Sequence, residues 1–510
     1  MKKILYTLLL ATSSHFAYAD TSESAPQQSI TAAPESAPAT AAAEPVLNAN
    51  AEYINRTAYI QNPYTGIPSG GGTLQAVQTG ESQNAVHGFW KTLFTEGTYN
   101  VYAGGTANMG NSSEKTTTTQ WPNNNDLTPY SYGANIFAQT GQIGGFSIGG
   151  LATAMNPFYG NQLNGDATQR SNPNYSIYTP SFSQLGVSAA FLEYQYSNIV
   201  NADVGYITID NSPWLGGSYF NNQLTIGNTY QGALVNVYTG GGWLLSALAF
   251  NAAQYGAQMG FTGAPTITSF NTPNGGTVAN SIQSNGTAAL GANYTTWDNN
   301  YNLRLWGYQF DNYGSIFYAD NSLNIPLTNS LSLNVAGQFG TDQQLFQNSS
   351  AVSQLTGQGI QSYFAGLKGG LTYDWFVLNL SANTTWGPSS AYGGGSIVTP
   401  YTSALNLDPL YSEGWSTNMA TTGYTGWQYK AGTQFNFLSN NLSLQPAYIY
   451  VNSGNQQWNG TQEMDLLLNY SIPQVKGLFV FAVYANQWLP VQNPNGSNAW
   501  TSELGVFYTY

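Results

Sequence analysis

From Thr98 to Tyr510 the sequence is written in short runs in which apolar and polar positions alternate. In the last run, A-W-T-S-E-L-G-V-F-Y-T-Y from Ala499, the residues Leu504, Val506, Tyr508 and Tyr510 fall on one face of an extended strand, and Glu503, Gly505, Phe507 and Thr509 fall on the other. Further upstream, Trp427, Tyr429, Ala431, Thr433, Phe435 and Phe437 oppose Gln428, Lys430, Gly432, Gln434 and Asn436. Leu331, Leu333, Val335 and Phe339 likewise oppose Ser332, Asn334, Ala336 and Gln338. Tyr363, Ala365, Leu367 and Leu371 oppose Ser362, Gly366 and Lys368, with Phe364 on the polar side. The run 477–488 is apolar on both faces, so its register stays open.

The pattern predicts about eighteen strands, each close to the roughly 9–11 residues that a tilted membrane strand needs. They are placed at 98–109, 131–140, 143–155, 185–198, 202–210, 228–238, 242–254, 286–297, 301–311, 313–322, 329–339, 361–370, 374–386, 425–437, 441–452, 462–471, 477–488 and 499–510. The connections alternate in length. Turns fall at 140–142, 199–201, 239–241, 298–300, 372–373 and 438–440, and long stretches at 110–130, 156–184, 211–227, 255–285, 340–360 and 387–424. Around 311–313 a long stretch is due and almost no residues are present: a short hairpin there and a different strand count are both open. The fold class expected is all-β, a transmembrane antiparallel barrel with short periplasmic turns and long external loops. A soluble sandwich has no reason to keep that rhythm. An aromatic C-terminal residue on the lipid face fits a strand that pairs with the first one and is read by the barrel-assembly machinery.

Composition narrows the class further. Charged residues are 6% and apolar ones 42%, which fits neither an ordinary soluble enzyme nor a charge-rich disordered chain. The 37 Tyr and 56 Gly suit interfacial ring girdles and tight turns. No cysteine is present, so disulfides, CxxC zinc sites and thiol nucleophiles are excluded together. The formal charge of −13 becomes −15 once Lys2 and Lys3 leave with a signal peptide, which argues against nucleic acid as a partner. That signal is residues 1–19: Lys2-Lys3, an apolar core from Ile4 to Ala11, and Ala17-Tyr18-Ala19 before Asp20, with cleavage after Ala19. Residues 20–86 read as a disordered or irregular periplasmic extension, and 87–510 as the outer-membrane barrel.

The stretch D-V-G-Y-I-T-I-D-N-S-P-W at 203–214, followed by N-T-Y-Q-G-A at 228–233, resembles a strand, third external loop and returning strand of the OprD-type porins. G-Q-I-G-G-F-S-I-G-G-L at 141–151, Leu305-Trp306-Gly307-Tyr308 and Phe317-Tyr318-Ala319 add to the resemblance, which runs from about His87 to Tyr510. Ser212 stands where that family has a Thr before Pro. The resemblance implies a monomeric outer-membrane channel through which small polar solutes diffuse passively. It also implies a third loop folded into the lumen, here 211–227 with Trp214, Tyr219, Phe220, Asn221 and Asn222. Pro213 and Gly216-Gly217 permit the bend, and a loop that stays outside is the alternative.

The departure from the family is in charge. OprD-type porins often carry a ladder of basic wall residues, opposed by loop carboxylates, that guides carboxylate-bearing solutes. Past the signal this chain has only Arg56, Lys91, Lys115, Arg170, Arg304, Lys368, Lys430 and Lys476. Arg304, Lys368 and Lys430 fall in expected strands, as either a lumenal track or interface snorkelers. Glu193, Asp203, Glu463 and Asp465 fall on inward faces, and Asp210 closes the strand before the third loop. Uncharged solutes or weak cation preference is therefore expected instead of anion guidance.

Catalytic machinery is missing. The histidines are His15, lost with the signal, and His87, ahead of the first strand, so no His-based nucleophile is available to the barrel. HExxH, P-loop and strand-to-helix G-x-S-x-G patterns are absent, and neither enzyme activity nor any cofactor is expected. The alternative function is an adhesive or structural barrel acting through loop aromatics such as Trp386, Tyr392, Tyr401 and Trp415.

Overall fold

The computed structural model describes residues 97–111, 130–158, 184–197, 199–209, 211–215, 226–256, 269–271, 277–279, 286–345, 350–397, 409–490 and 498–509. The signal, the extension, Asp210, Tyr219, Phe220, Asn221, Asn222, Tyr401 and Tyr510 lie outside them. One 18-stranded antiparallel sheet closes on itself. Its strands are β1 (Thr98–Asn111), β2 (Tyr130–Gln139), β3 (Phe146–Phe158), β4 (Gln184–Tyr196), β5 (Val200–Ile207), β6 (Ile226–Gly240), β7 (Trp243–Gly256), β10 (Thr287–Thr295) and β11 (Tyr301–Phe310). They continue as β12 (Gly314–Pro326), β13 (Leu331–Gln343), β14 (Gln361–Tyr373), β15 (Phe376–Trp386), β16 (Gly426–Phe437), β17 (Leu442–Ser453), β18 (Gln462–Ser471), β19 (Leu478–Trp488) and β20 (Asn498–Thr509). Each pairs with its sequence neighbours, and β20 pairs with β1 from Tyr102↔Thr509 to Asn111↔Trp500. A small hairpin, β8 (Ser269–Asn271) and β9 (Thr277–Ala279), sits apart in the loop between β7 and β10. No alternation in the sequence announces it.

The period of two decides which face meets lipid. In β14, Ser362, Phe364, Gly366 and Lys368 are buried inside, and Leu367 between them is 71% exposed on the outer surface. In β16, Gln428, Lys430 and Gln434 point in, and Trp427, Tyr429 and Phe437 point out. Closure leaves no strand edge, so the backbone groups of the wall are satisfied by neighbouring strands. Outward rings gather at both rims. Trp375 stacks with Phe435 and Phe437 (centroids 6.0 and 6.1 Å), and Trp243 meets Tyr294 at 4.9 Å, all at the end that carries the short turns. At the other end Tyr363 stacks on Trp386 at 6.0 Å and Trp427 on Tyr429 at 6.0 Å. Such girdles suit the two membrane–water boundaries.

The two ambiguities of the sequence resolve locally. Asp311, Asn312 and Tyr313 form a true short hairpin: Asn312 takes a left-handed φ of 62°, and Tyr313 N donates to Phe310 O at 3.0 Å. For β19, pairing of Val483 with Glu503 and of Phe481 with Gly505 puts Phe481, Val483, Ala485 and Gln487 inside. The turns at 199–201 and 372–373 each move by two residues, to 197–199 and 374–375, because β5 begins at Val200 and β14 runs to Tyr373. Asp298 holds the turn at 296–300, accepting from Thr296 Oγ1 at 2.6 Å and from Asn300 N at 3.2 Å. The Thr296 hydroxyl, then the Asn300 amide, keep its carboxyl below the usual aspartate range.

The inward faces are less polar than alternation suggested. Trp306, Tyr308, Phe310, Ile316, Tyr318 and Phe364 all point inside and form one continuous apolar sector. Phe364, the exception on its polar face, belongs to it. An arginine in place of the outward Leu367, at the middle of β14, is expected to lower stability by about 2–4 kcal/mol in urea unfolding from lipid vesicles. A loss well under 1 kcal/mol would show that this face does not meet hydrocarbon.

Candidate pore constriction

Among the described residues, parts of two loops are held by inward side chains of the wall. The third begins where β5 ends, and its first residues are held by inward side chains of the wall. Asn211 Nδ2 donates to Asn236 Oδ1 and Ser246 Oγ, both at 2.8 Å, on β6 and β7. Ser212 Oγ bonds the Tyr308 hydroxyl at 2.9 Å on β11. Trp214 is buried edge-on against Tyr318 (6.2 Å) and Phe364 (5.4 Å), on β12 and β14. Within four residues the chain has thus reached from β6 to β14, which turns it inward. Trp214 packs into the aromatic sector already described.

The second is the seventh external loop, the Gly/Pro/Ser-rich stretch between β15 and β16, which the sequence reading left outside. Its residues 411–417 lie along the inner wall from β15 to β19. Ser381 Oγ donates to Tyr411 O at 2.8 Å, and Ser412 N donates to Asn383 Oδ1 at 2.9 Å. Gln428 Nε2 donates to Ser412 O and Thr417 O at 2.6 and 3.0 Å, and Lys430 Nζ donates to Glu413 O at 2.5 Å. Trp415 N donates to Asp465 Oδ2 at 3.1 Å, Ser416 N to Glu463 Oε1 at 2.6 Å, and Gln487 Nε2 to Thr417 Oγ1 at 2.7 Å. Farther along, Thr385 Oγ1 donates to Tyr424 O at 2.9 Å, and Tyr424 stacks on Trp458 at 5.6 Å. A loop in irregular conformation inside a barrel must find partners for its backbone groups, and the inward polar side chains of four strands provide them.

Lys430, Glu463 and Asp465 therefore hold a loop in place. Glu463 and Asp465 face inward, as expected, and their oxygens accept loop amides. In register, Lys368 lies across Ser381 from Lys430, and Lys430 lies across Ile449 from Glu463. Both lysines face inward and are about 5% exposed, away from either girdle. Arg304 also faces inward and forms a forked pair with Asp320 on the next strand (Nε–Oδ1 2.9 Å, Nη2–Oδ2 2.5 Å), which Tyr318 OH joins at 3.1 Å. Its charge is cancelled where it stands. Glu193 is paired in register with Asp203 on β5. It accepts from Ser147 Oγ at 3.4 Å and from Gln142 Nε2 at 3.5 Å.

The sequence reading missed Asn383, Gln428 and Gln487 as loop anchors. Their sign was present in part, as long amides on inward faces, but alternation does not say what an inward amide will meet. A shorter loop, 344–360, carries the helix α1 (Ala351–Thr356), whose Ala351 and Val352 are buried against the third-loop sector. Ser350 caps it, accepting from Ser353 N at 3.1 Å.

This architecture is shared with solved structures. The crystal structure of Pseudomonas aeruginosa OpdK with vanillate superposes with a TM-score of 0.62 at 13% identity, covering 82% of this chain and 99% of that one. Acinetobacter baumannii OccAB3 gives 0.63 at 14% identity, covering 81% and 99%. A BenF-like porin from Pseudomonas fluorescens gives 0.62 at 12% identity, covering 82% and 99%. The fold is thus that of the OprD-like porins, in an 18-strand closed form. No family model and no curated protein matches the chain.

Arg304→Met, which strands Asp320 in the wall, is expected to cost about 3–5 kcal/mol in urea unfolding, and Arg304→Met with Asp320→Leu to recover most of it. Glu463→Gln with Asp465→Asn weakens charge-assisted bonds of about 1.5–3 kcal/mol each to the loop amides. Single-channel recording is expected to show larger or noisier openings in that double variant; unchanged traces would mean that the loop does not gate the lumen.

Proposed function

We propose that the chain is a porin of a Gram-negative outer membrane that lets small polar solutes diffuse passively through its barrel. The observation that carries this reading is the pair of inward loops hydrogen-bonded to the wall of a closed 18-strand barrel. A wide barrel with infolded loops sorts solutes by the size and polarity of the opening that remains. The signal cleaved after Ala19, insertion by the barrel-assembly machinery and a monomeric state belong to the same reading.

Among the relatives in fold, Pseudomonas aeruginosa OpdK was solved with vanillate and Pseudomonas aeruginosa OccK2 with glucuronate. Guidance of such anions needs exposed basic charge. Here Asp320 pairs with Arg304 and the seventh loop engages Lys430, so neither base stands open to a solute. Neutral or cationic polar solutes therefore fit the lumen better. Of the loop aromatics named for an adhesive role, Tyr392 and Trp415 pack into the inner clusters, and Trp386 is 43% exposed at the rim.

Planar-bilayer recording of the refolded mature chain tests the proposal. Stepwise channels that widen when 211–227 or 411–417 is deleted, with a reversal potential favouring cations in a salt gradient, are the expected result. A correctly folded barrel that never conducts would overturn the porin reading, and clear anion selectivity would overturn the assignment of solute charge.

A further inference from the structure

Glu463 and Asp465 stand two residues apart on β18, so the pleat delivers both carboxyls to the same inward face. Each holds one amide of the seventh loop with one oxygen: Asp465 Oδ2 accepts from Trp415 N at 3.1 Å, and Glu463 Oε1 from Ser416 N at 2.6 Å. The other two oxygens, Glu463 Oε2 and Asp465 Oδ1, are buried and accept from no donor among the described residues. The two residues are 0% and 2% exposed, so bulk water does not stand in for the missing donors. The carboxyls also lie within hydrogen-bond reach of each other.

Few charges face the pair. Lys430 on β16 faces it across β17, and its Nζ donates to Glu413 O. Glu413 brings a further carboxyl in the loop, which accepts from Asn418 Nδ2. Lys368 lies beyond Lys430, across β15, and Glu503 faces inward two strands away on β20. The inward residues of β17 and β19 in register with the pair, Ala447, Ile449, Ala485 and Gln487, carry no charge. Two ionised carboxylates in contact, in a place closed to solvent, repel strongly. A proton on one of them removes that repulsion and turns an acceptor into an O–H donor for the other. One proton thus provides for both orphaned oxygens at once.

We infer that Glu463 and Asp465 share a single proton, and that this proton keeps the seventh loop latched to the wall. The proton belongs to the pair and to neither residue alone. With it in place the pair carries one negative charge, which still strengthens the bonds from the Trp415 and Ser416 amides. When rising pH removes it, the carboxylates repel each other and residues 411–417 loosen. The shared proton stands on the geometry of β18 and the loop; its effect on current rests on the porin reading.

Glu463→Gln keeps an oxygen for Ser416 N and places a fixed N–H donor where the proton would stand. Heat-dependent gel mobility establishes that each variant barrel is folded. Infrared difference spectra of the mature chain in lipid, taken against Glu463→Gln and against Asp465→Asn, are expected to show a protonated-carboxyl band at neutral pH that both variants lose. Single-channel traces of the natural chain are expected to grow noisier as pH is raised from neutral. Glu463→Gln is expected to lose that pH dependence and to stay quieter than Glu463→Ala. A natural chain without the band, or a band that either variant keeps, would overturn the inference. A pH dependence that persists in Glu463→Gln would also overturn it and assign the titration to Lys430 or Glu413. Absence of the band, with noise that falls when Na⁺ or Mg²⁺ is added at constant ionic strength, would replace the proton by a bridging cation. The band in a folded barrel that never conducts would keep the shared proton and remove the porin reading.

Discussion

Everything in this molecule follows from one constraint: a backbone that crosses hydrocarbon must find partners for its amide and carbonyl groups within the protein. Eighteen strands meet that demand by pairing with their neighbours, and the β1–β20 pairing removes the last open edge. Closure fixes two environments for every strand, and the pleat delivers alternate side chains to each. Leu367 and Lys368 are adjacent in sequence and end in lipid and lumen for that reason alone. The rings at both rims then mark how far the hydrocarbon extends.

The same constraint acts on whatever enters the lumen. Irregular backbone can lie inside only where side chains of the wall satisfy it, and the inward amides, hydroxyls and carboxylates of β15, β16, β18 and β19 do so for residues 411–417. Buried charge is handled locally as well. Arg304 is matched by Asp320 on the next strand, and Lys430 lies among the loop carbonyl of Glu413 and the carboxylates that hold neighbouring amides. The interior is thus an organised set of apolar and polar sectors, with both loops held by polar side chains of the wall and packed through an aromatic, Trp214 in the third and Trp415 in the seventh. That division explains how a chain so poor in charge can still position two loops.

A count of about eighteen strands, the short-turn rhythm, and the inward or outward sense of the runs 331–339, 361–371, 427–437 and 499–510 were legible in the sequence, because a period of two is a property of the chain alone. The run 477–488 was the exception, since two apolar faces carry no contrast, and only pairing with Glu503 and Gly505 set its register. The hairpin at 311–313 was ambiguous for a similar reason: the loop length it broke was a rule of rhythm, and the turn conformation of Asn312 decided it. The interior was legible as sidedness but not as content. Lys430, Glu463 and Asp465 could be assigned to the inner face, yet their role depends on a loop some 50 residues away in the chain for the two acids. Alternation places a side chain on a face; what it meets across the lumen is set by barrel curvature and loop path, which bring together residues with no fixed spacing in sequence.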